Sequence, residues 1–286
     1  MNKLITVNSL SGGKTSSYIA ANYPADYNVF ALVRTDDKNC LFPDPKIRQI
    51  VSDKIGKEFI GTLEEDAIIY TMLDLEQFIG KEITWVSGKT FDEIIIRGKK
   101  KYLPNVTQRF CTTELKLNPI FDWWDKNIGT PVEMRIGFRA NEMKRAKKMI
   151  SKLNSKGLIE FKTIIGKTKN GLKNKWGLIE WQSPYFPLIE NNIYKDKIEL
   201  FWKDKPVRFA YMNNCVGCFH RNEILLKLMS EKHSNKFDWF CNQEKTSNSN
   251  RTFKNGITYQ KIKNHKLQIN IFENDFNECD SGYCGL

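Results

Sequence analysis

No run of apolar residues in this 286-residue chain approaches eighteen, and the mean hydropathy is −0.49, which excludes a membrane-spanning helix. The N-terminus opens on a strand-like segment and a glycine turn rather than on a basic region and an apolar core, so no secretory leader is expected and the cytoplasm is the expected compartment. Cysteine is scarce through most of the chain. Of seven, only Cys40 and Cys111 fall in the first two hundred residues, while Cys215, Cys218, Cys241, Cys279 and Cys284 crowd the last quarter. Without a leader, that distribution argues against a disulfide scaffold and for thiols kept free for metals or catalysis. One glycine is missing as well. Gly13-Lys14-Thr15 ends like a Walker A loop, but that motif needs glycine at position 8, where the chain has Asn8, so a Walker ATPase is not expected.

What is present begins at residue eleven. Ser11-Gly12-Gly13-Lys14-Thr15-Ser16 follows the apolar run Leu4–Val7 and precedes a helical pattern. Two glycines allow a sharp bend with N–H groups turned inward, the hydroxyls add donors, and the next helix offers its positive dipole end to an anion. The hexapeptide reads as a phosphate cradle. Gly12, Gly13, Thr15 and Ser16 are the expected donors, Ser11 closes the turn, and Lys14 neutralises charge on a leaving pyrophosphate.

Apolar runs then alternate with amphipathic segments. Strands are expected at Leu4–Val7, Asn28–Val33, Thr84–Val86 and Val132–Gly137, and helices at Thr15–Tyr23, Pro45–Ile55, Glu64–Phe78, Thr90–Ile96 and Thr112–Lys126. This is an α/β pattern, an open and mostly parallel sheet with helices on both faces, whose ligands bind at the carboxyl ends of the strands. Residues 1–205 are assigned to that domain, with a basic, loop-rich insertion at about 151–181 whose octet Lys167–Asn174 reads as an exposed hairpin tip. Residues 206–286 form a small cysteine-rich segment with one expected helix at Asn222–Met229.

Four blocks occur in an order that resembles the phosphoadenylylsulfate reductase-like branch of the adenine nucleotide alpha-hydrolase (PP-loop ATP pyrophosphatase) superfamily. They are the hexapeptide, Val33-Arg34-Thr35-Asp36-Asp37 with Phe42-Pro43-Asp44, Arg109-Phe110-Cys111-Thr112-Thr113-Glu114-Leu115-Lys116, and Gly137-Phe138-Arg139-Ala140-Asn141-Glu142-Met143-Lys144-Arg145-Ala146. The resemblance implies a Rossmann-like fold and binding of ATP or a related adenine nucleotide. Asp36 is then a ligand of Mg²⁺ or of the ribose, or else a helix cap. Gly137, Arg139 and Arg145 lie beside the nucleotide, the arginines presenting guanidinium forks to phosphate or sulfate oxygens.

Cys215-Val216-Gly217-Cys218 has the two-residue spacing that lets both thiolates face one ion. The pair resembles the late Cys-x-x-Cys of iron–sulfur sulfonucleotide reductases, where an earlier cysteine pair completes the cluster. Here the earlier block offers Cys111 alone, which leaves the cluster one ligand short, with Cys279, Cys284 and Cys241 as candidates for the missing one. Two metal sites stay open: an iron–sulfur (4Fe–4S) cluster that draws in Cys111, or zinc held with Cys279 and Cys284. The ending Cys284-Gly285-Leu286 resembles a shortened form of the reductase tail that carries a nucleophilic cysteine, so Lys14, Cys111 and Cys284 are the catalytic candidates.

Three functions follow from the resemblance. The first is ATP-dependent adenylation with sulfur transfer to nucleic acid (tRNA or DNA), served by a sulfur-donor protein or thiol reductant. The second is reduction of a sulfonucleotide to sulfite. The third is a catalytically inactive nucleotide or nucleic-acid binder with structural zinc. The net charge of +12 and pI near 9.2 suit a polyanionic partner, although solvated lysines alone need none.

Overall fold

The computed structural model describes residues 4–168, 170–171, 173–247 and 251–265. In chain order the elements are β1 (Thr6–Leu10), α1 (Lys14–Asn22), β2 (Tyr27–Ala31), α2 (Pro45–Ile55), α3 (Ala67–Ile79), β3 (Thr84–Val86), α4 (Phe91–Ile94) and a two-stranded hairpin of β4 (Ile96–Arg97) and β5 (Lys100–Lys101). There follow α5 (Phe110–Thr112), α6 (Asn118–Asn127), β6 (Val132–Arg135), α7 (Met143–Ile150), β7 (Ile159–Lys167) and β8 (Asn174–Tyr185). The last described helices are α8 (Pro187–Glu190), α9 (Lys195–Trp202), α10 (Glu223–Lys232), α11 (Ser234–Lys245) and α12 (Tyr259–Asn264).

Six strands form one sheet in the order β3-β2-β1-β6-β8-β7, parallel throughout except for β7, which runs antiparallel to β8 at the edge. The chain leaves β1 toward one edge through β2 and β3, then returns to the other side of β1 with β6. Successive connections therefore diverge between β1 and β6, and a crevice opens there at the carboxyl ends of the strands.

Side-chain alternation along β2 explains why both faces are covered. Val29 and Ala31 join Val7 in packing against Ile120, Phe121 and Trp124 of α6 and against Ala146 and Met149 of α7. Phe30 joins Leu10 in packing against Tyr18 and Ile19 of α1, Val51 of α2 and Met72 of α3. A sheet buried on both sides favours apolar runs, which β2 has at Val29, Phe30 and Ala31 and which β1 interrupts with Asn8 and Ser9.

Local chemistry sets several boundaries. Asp44 caps α2 by accepting from the N–H groups of Lys46 (2.8 Å) and Ile47 (3.3 Å), Pro45 occupies the first turn, and Gly56 ends the helix at φ +63°, a cap worth about 1 kcal/mol. Between α5 and α6 the backbone widens into a π turn at Thr113–Leu117. Pro119 accounts for it, because proline has no N–H and its ring would press on the carbonyl one turn back.

The segment 151–181, expected as a loop-rich insertion, instead supplies most of β7 and β8, and β8 is an interior strand of the sheet beside β6. Its tip agrees with expectation, since Thr168 N–H donates to Lys173 O (2.8 Å) to close a hairpin. After residue 206 the chain packs back onto the α/β layer. Met212, Val216, Leu226, Phe237, Phe240 and Tyr259 share a buried cluster with Val33, Leu63, Phe91, Leu103 and Leu115. Among the described residues, no helix is long and apolar enough to cross a membrane.

Candidate functional site

Three residues turn the chain from β1 into α1. Gly12 sits at φ +80°, in the left-handed region, and a Cβ there would lie 2.5 Å from Cγ2 of the buried Ile68 on α3. Gly13 has an ordinary extended backbone, φ −100°, but a Cβ there would lie 2.5 Å from Nδ2 of Asn213. One glycine is thus fixed by conformation and by α3, the other by Asn213. Ser16 closes the bend: its Oγ lies 3.1 Å from Gly13 O, to which it donates, and 3.1 Å from both the N–H and the Oγ of Ser11. Gly13 caps α1 with no side-chain hydrogen bond. The first-turn N–H groups of the helix therefore lack a side-chain acceptor at the carboxyl edge of the sheet, the arrangement that suits an anion.

The other sequence blocks gather around this loop to different degrees. A Cβ at Gly137 would lie 3.4 Å from Cγ2 of Thr15 and 3.6 Å from the Ser16 nitrogen, so the turn after β6 abuts the start of α1. Arg139 and Arg145 converge on one carboxylate, Glu142, with Arg139 Nε 3.1 Å from Oε2 and Arg145 paired with Oε1. The Arg145 guanidinium also lies 4.1 Å from the Phe138 ring centroid. Lys14 turns its ammonium to Glu199 on α9, and its carbonyl accepts from Trp202 Nε1 (3.0 Å). Asp36 is exposed; its carboxylate accepts from Thr90 Oγ1 (2.9 Å), and its N–H donates to Asp92 (2.9 Å), which also accepts from Thr35 Oγ1 (2.6 Å) and Trp239 Nε1 (2.8 Å).

A second feature adjoins the loop. Cys111, Cys215 and Cys218 line one cleft together with Glu64, Arg109, Lys116 and His220. The Cys-x-x-Cys turn is built by its backbone. Val216 N–H donates to Leu63 O (2.8 Å), Cys218 N–H to Cys215 O (3.0 Å), and the Arg221 guanidinium donates to Cys215 O (2.6 Å) and Asn213 O (2.5 Å). Gly217 is required there because a Cβ would run into the buried Phe240 ring. Cys111 enters from α5, beside the π turn.

Glu64 was not expected at a site, and it is 1% exposed. Its Oε1 accepts from Lys116 Nζ (3.0 Å), and its Oε2 is buried with no hydrogen-bond partner. The acidic run Glu64-Glu65-Asp66 was read as the start of a helix, and nothing in its pattern marks the first of the three as buried. Burial, then the charges of Arg109 and Lys254, push His220 down to about 4, which leaves the imidazole neutral at pH 7. Cys40 and Cys241 are buried in the core. Burial pushes both up to about 12, so they are protonated packing residues rather than ligands or nucleophiles. Among the described residues, no three His, Cys, Asp or Glu side chains group closely enough to hold one metal ion. Cys279 and Cys284 lie outside the described residues.

Loop and cleft are joined by a short piece of chain. Asn213 lies against Gly13, and Cys215 follows two residues later. No family model matches the chain, and neither does any curated protein or solved structure.

Proposed function

We propose that this chain is a PP-loop enzyme of the phosphoadenylylsulfate reductase-like kind, which binds ATP or a related adenine nucleotide with Mg²⁺ and carries out ATP-dependent sulfur transfer to nucleic acid. The observation that supports this reading is the adjacency of an uncapped glycine bend at the carboxyl edge of a parallel sheet and a cleft lined by three thiols, linked through Asn213.

In this account the N–H groups at the start of α1 hold the pyrophosphate. Lys14 leaves Glu199, and Arg139 and Arg145 leave Glu142, when phosphate oxygens compete for them. A carbonyl oxygen of the acceptor attacks the α-phosphorus, the bond to the bridging oxygen breaks, and pyrophosphate departs with its charge met by Lys14 and the helix dipole. A sulfur nucleophile, delivered by a donor protein or thiol reductant, then displaces AMP.

The donor set of the cleft, three thiols beside the cations Arg109 and Lys116, fits a negatively charged iron–sulfur cluster held by Cys111, Cys215 and Cys218. When bound there, such a cluster would supply redox or sulfur-binding capacity; zinc held by Cys215 and Cys218 with Cys279 and Cys284 would supply only structure.

Pyrophosphate release from ATP, measured with and without tRNA or DNA, tests the reading. Release stimulated by nucleic acid is expected. Sulfite formation from a sulfonucleotide would replace it with reductase chemistry, and nucleotide binding without either reaction would leave a sensor. Protein purified without oxygen is expected to carry iron and sulfide, both lost in Cys215→Ser; stoichiometric zinc without iron would overturn the choice of metal.

A further inference from the structure

The net positive charge of this chain is concentrated in one stretch of its sequence. Residues 143–176 carry eleven Lys and Arg against a single acid, Glu160, a net +10 out of the chain's +12. These residues form α7 and the β7–β8 hairpin. α7 buries Ala146 and Met149 against the sheet and exposes Lys144, Lys147 and Lys148. β8 pairs with β6 only from Gln182 onward, so the hairpin beyond that point projects past the sheet as a two-stranded ribbon.

The two faces of the ribbon differ. Phe161 and Ile179 pack inward, with Phe161 stacked on Phe121 at 4.2 Å. The opposite face carries the cross-strand pairs Lys162 with Leu178 and Ile164 with Trp176. Ile164 is 46% exposed, Trp176 57% and Leu178 61%, and Lys162 Nζ lies 6.0 Å from the Trp176 ring centroid. Glu160 and Glu180 oppose each other at the ribbon's base, where Asn154 and Lys156 bond to Glu180 at 2.8 and 3.0 Å, and they mark the edge of the basic surface.

α7 covers the Phe161 side of the sheet, so the ribbon itself carries the inference: we infer that the ribbon binds folded RNA, Lys162, Lys167 and Lys173 following the phosphates and Trp176 stacking on an unpaired base. An exposed indole framed by lysines is a platform for a base whose face is free, and a fully paired duplex hides its faces. A hairpin RNA offers both a helical run of phosphates and an unpaired loop. A second copy of this chain fits poorly, because it would bring two lysine-bearing ribbons together.

The topology adds a length requirement. Trp176 lies six residues before Gln182, which pairs with Val132, and Gly137 lies five residues after Val132, just past the end of β6 and beside the glycine loop. At about 3.3 Å per residue, the platform and the loop stand roughly 35 Å apart on opposite ends of the sheet. A substrate touching both is a polymer gripped at a distance from the reaction. In that sense the inference rests on the proposed transfer, although the binding itself does not.

The test is fluorescence anisotropy, without nucleotide, using a labelled RNA hairpin with an unpaired loop, its fully paired RNA counterpart, a DNA duplex of equal length, and vesicles of phosphatidylcholine and phosphatidylglycerol. The full chain is compared with Trp176→Ala and with Lys162→Glu/Lys167→Glu/Lys173→Glu, each checked for native circular dichroism. The hairpin is expected to bind tightest, with affinity falling steeply as salt rises. Trp176→Ala should weaken it about tenfold while leaving the paired duplex unchanged, and the lysine variant should weaken both. Equal affinity for all nucleic acids with no effect of Trp176→Ala would overturn the inference. So would binding to vesicles alone, or a dimer that Trp176→Ala dissolves without changing RNA affinity. Trp176-dependent RNA binding without pyrophosphate release would keep the surface and remove the transferase; nucleotide turnover with no RNA binding would do the reverse.

Discussion

Replacing Gly13 by alanine separates the fold from the proposed phosphate site. The backbone there, φ −100° and ψ 159°, accepts any residue, so no conformational strain is added. The new methyl would meet Nδ2 of Asn213 at 2.5 Å and Cγ at 2.9 Å, atoms of a half-buried side chain that can rotate away. The alanine also restricts the unfolded chain, a gain of about 0.4–1 kcal/mol that offsets the displacement, so the net change in stability should stay within about 1 kcal/mol and the melting temperature within about 2–4 °C. Binding is another matter. The methyl narrows the gap between the bend and Asn213, and each charge-assisted hydrogen bond lost to a phosphate costs about 1.5–3 kcal/mol, or roughly a tenfold to hundredfold loss of affinity. Gly12→Ala is the contrasting case. Left-handed backbone at φ +80° costs about 1–2 kcal/mol with a side chain, and overpacking the fully buried Ile68 adds about 1–3 kcal/mol, so that variant loses stability first. Calorimetric titration with Mg-ATP and thermal melts of both variants give the comparison. Gly13→Ala that binds ATP like the wild type, or that melts as early as Gly12→Ala, refutes this reasoning.

Other expectations follow from the cleft and its surroundings. Lys116→Met leaves the buried Glu64 carboxylate without its ammonium and should destabilise by about 3 kcal/mol in urea denaturation, with Glu64→Gln added to the same chain recovering part of the loss; an unchanged midpoint contradicts the pairing. Gly217→Ala forces a methyl into the Phe240 ring and should cost about 1–3 kcal/mol while also disturbing the Cys-x-x-Cys turn, which metal content per chain will report; a variant with wild-type stability and metal would mean that the turn tolerates a side chain. The Arg208 guanidinium hydrogen-bonded to Asp74 holds that carboxyl below its ordinary value of 3.8. A lowered acid stabilises the fold above its unfolded value and loses that contribution as pH falls through 3.8 toward the folded value, so stability should drop across that acid window and Asp74→Asn should flatten the slope there. Identical slopes in the two proteins would show that the pair does not couple to folding.

The sequence carries the fold best where local chemistry and pattern agree. α2 has its acidic cap, first-turn proline and terminal glycine, and it is found at Pro45–Ile55 as expected; β3 likewise is found at Thr84–Val86. β1 runs later than expected, to Leu10, because its polar residues face buried partners. Asn8 is fully buried and its Nδ2 donates to Asn28 Oδ1 (2.9 Å) and Tyr23 O (3.0 Å), which an apolar-run reading does not anticipate. α3 begins at Ala67 rather than Glu64 because Glu64 and Glu65 are drawn into tertiary contacts, Glu65 accepting from the N–H of Met212 (2.5 Å). β7 and β8 were hidden by lysines and exposed apolar residues that break the pattern of a buried strand, since much of each strand lies beyond the sheet.

The candidate site divides in the same way. Its glycine bend was legible because two adjacent glycines after a strand are a local signal, and the turn at Gly137 is found beside it. The partners of its charged residues were not legible. Lys14 with Glu199, and Asn213 with Gly13, join positions about two hundred residues apart, and only tertiary packing brings them together. Cys111 lines the same cleft as the Cys215–Cys218 turn for the same reason, and the backbone bridge between Glu64 and Cys215 is likewise encoded by no spacing rule.

The most direct test of the account is a crystal structure of the chain with Mg²⁺ and an ATP analogue that resists cleavage between the α- and β-phosphates. The account predicts phosphate oxygens within hydrogen-bond distance of the backbone nitrogens of residues 12–16, with Lys14 turned from Glu199 toward them. Phosphates bound elsewhere, or a bend left without nucleotide at saturating concentration, would contradict it.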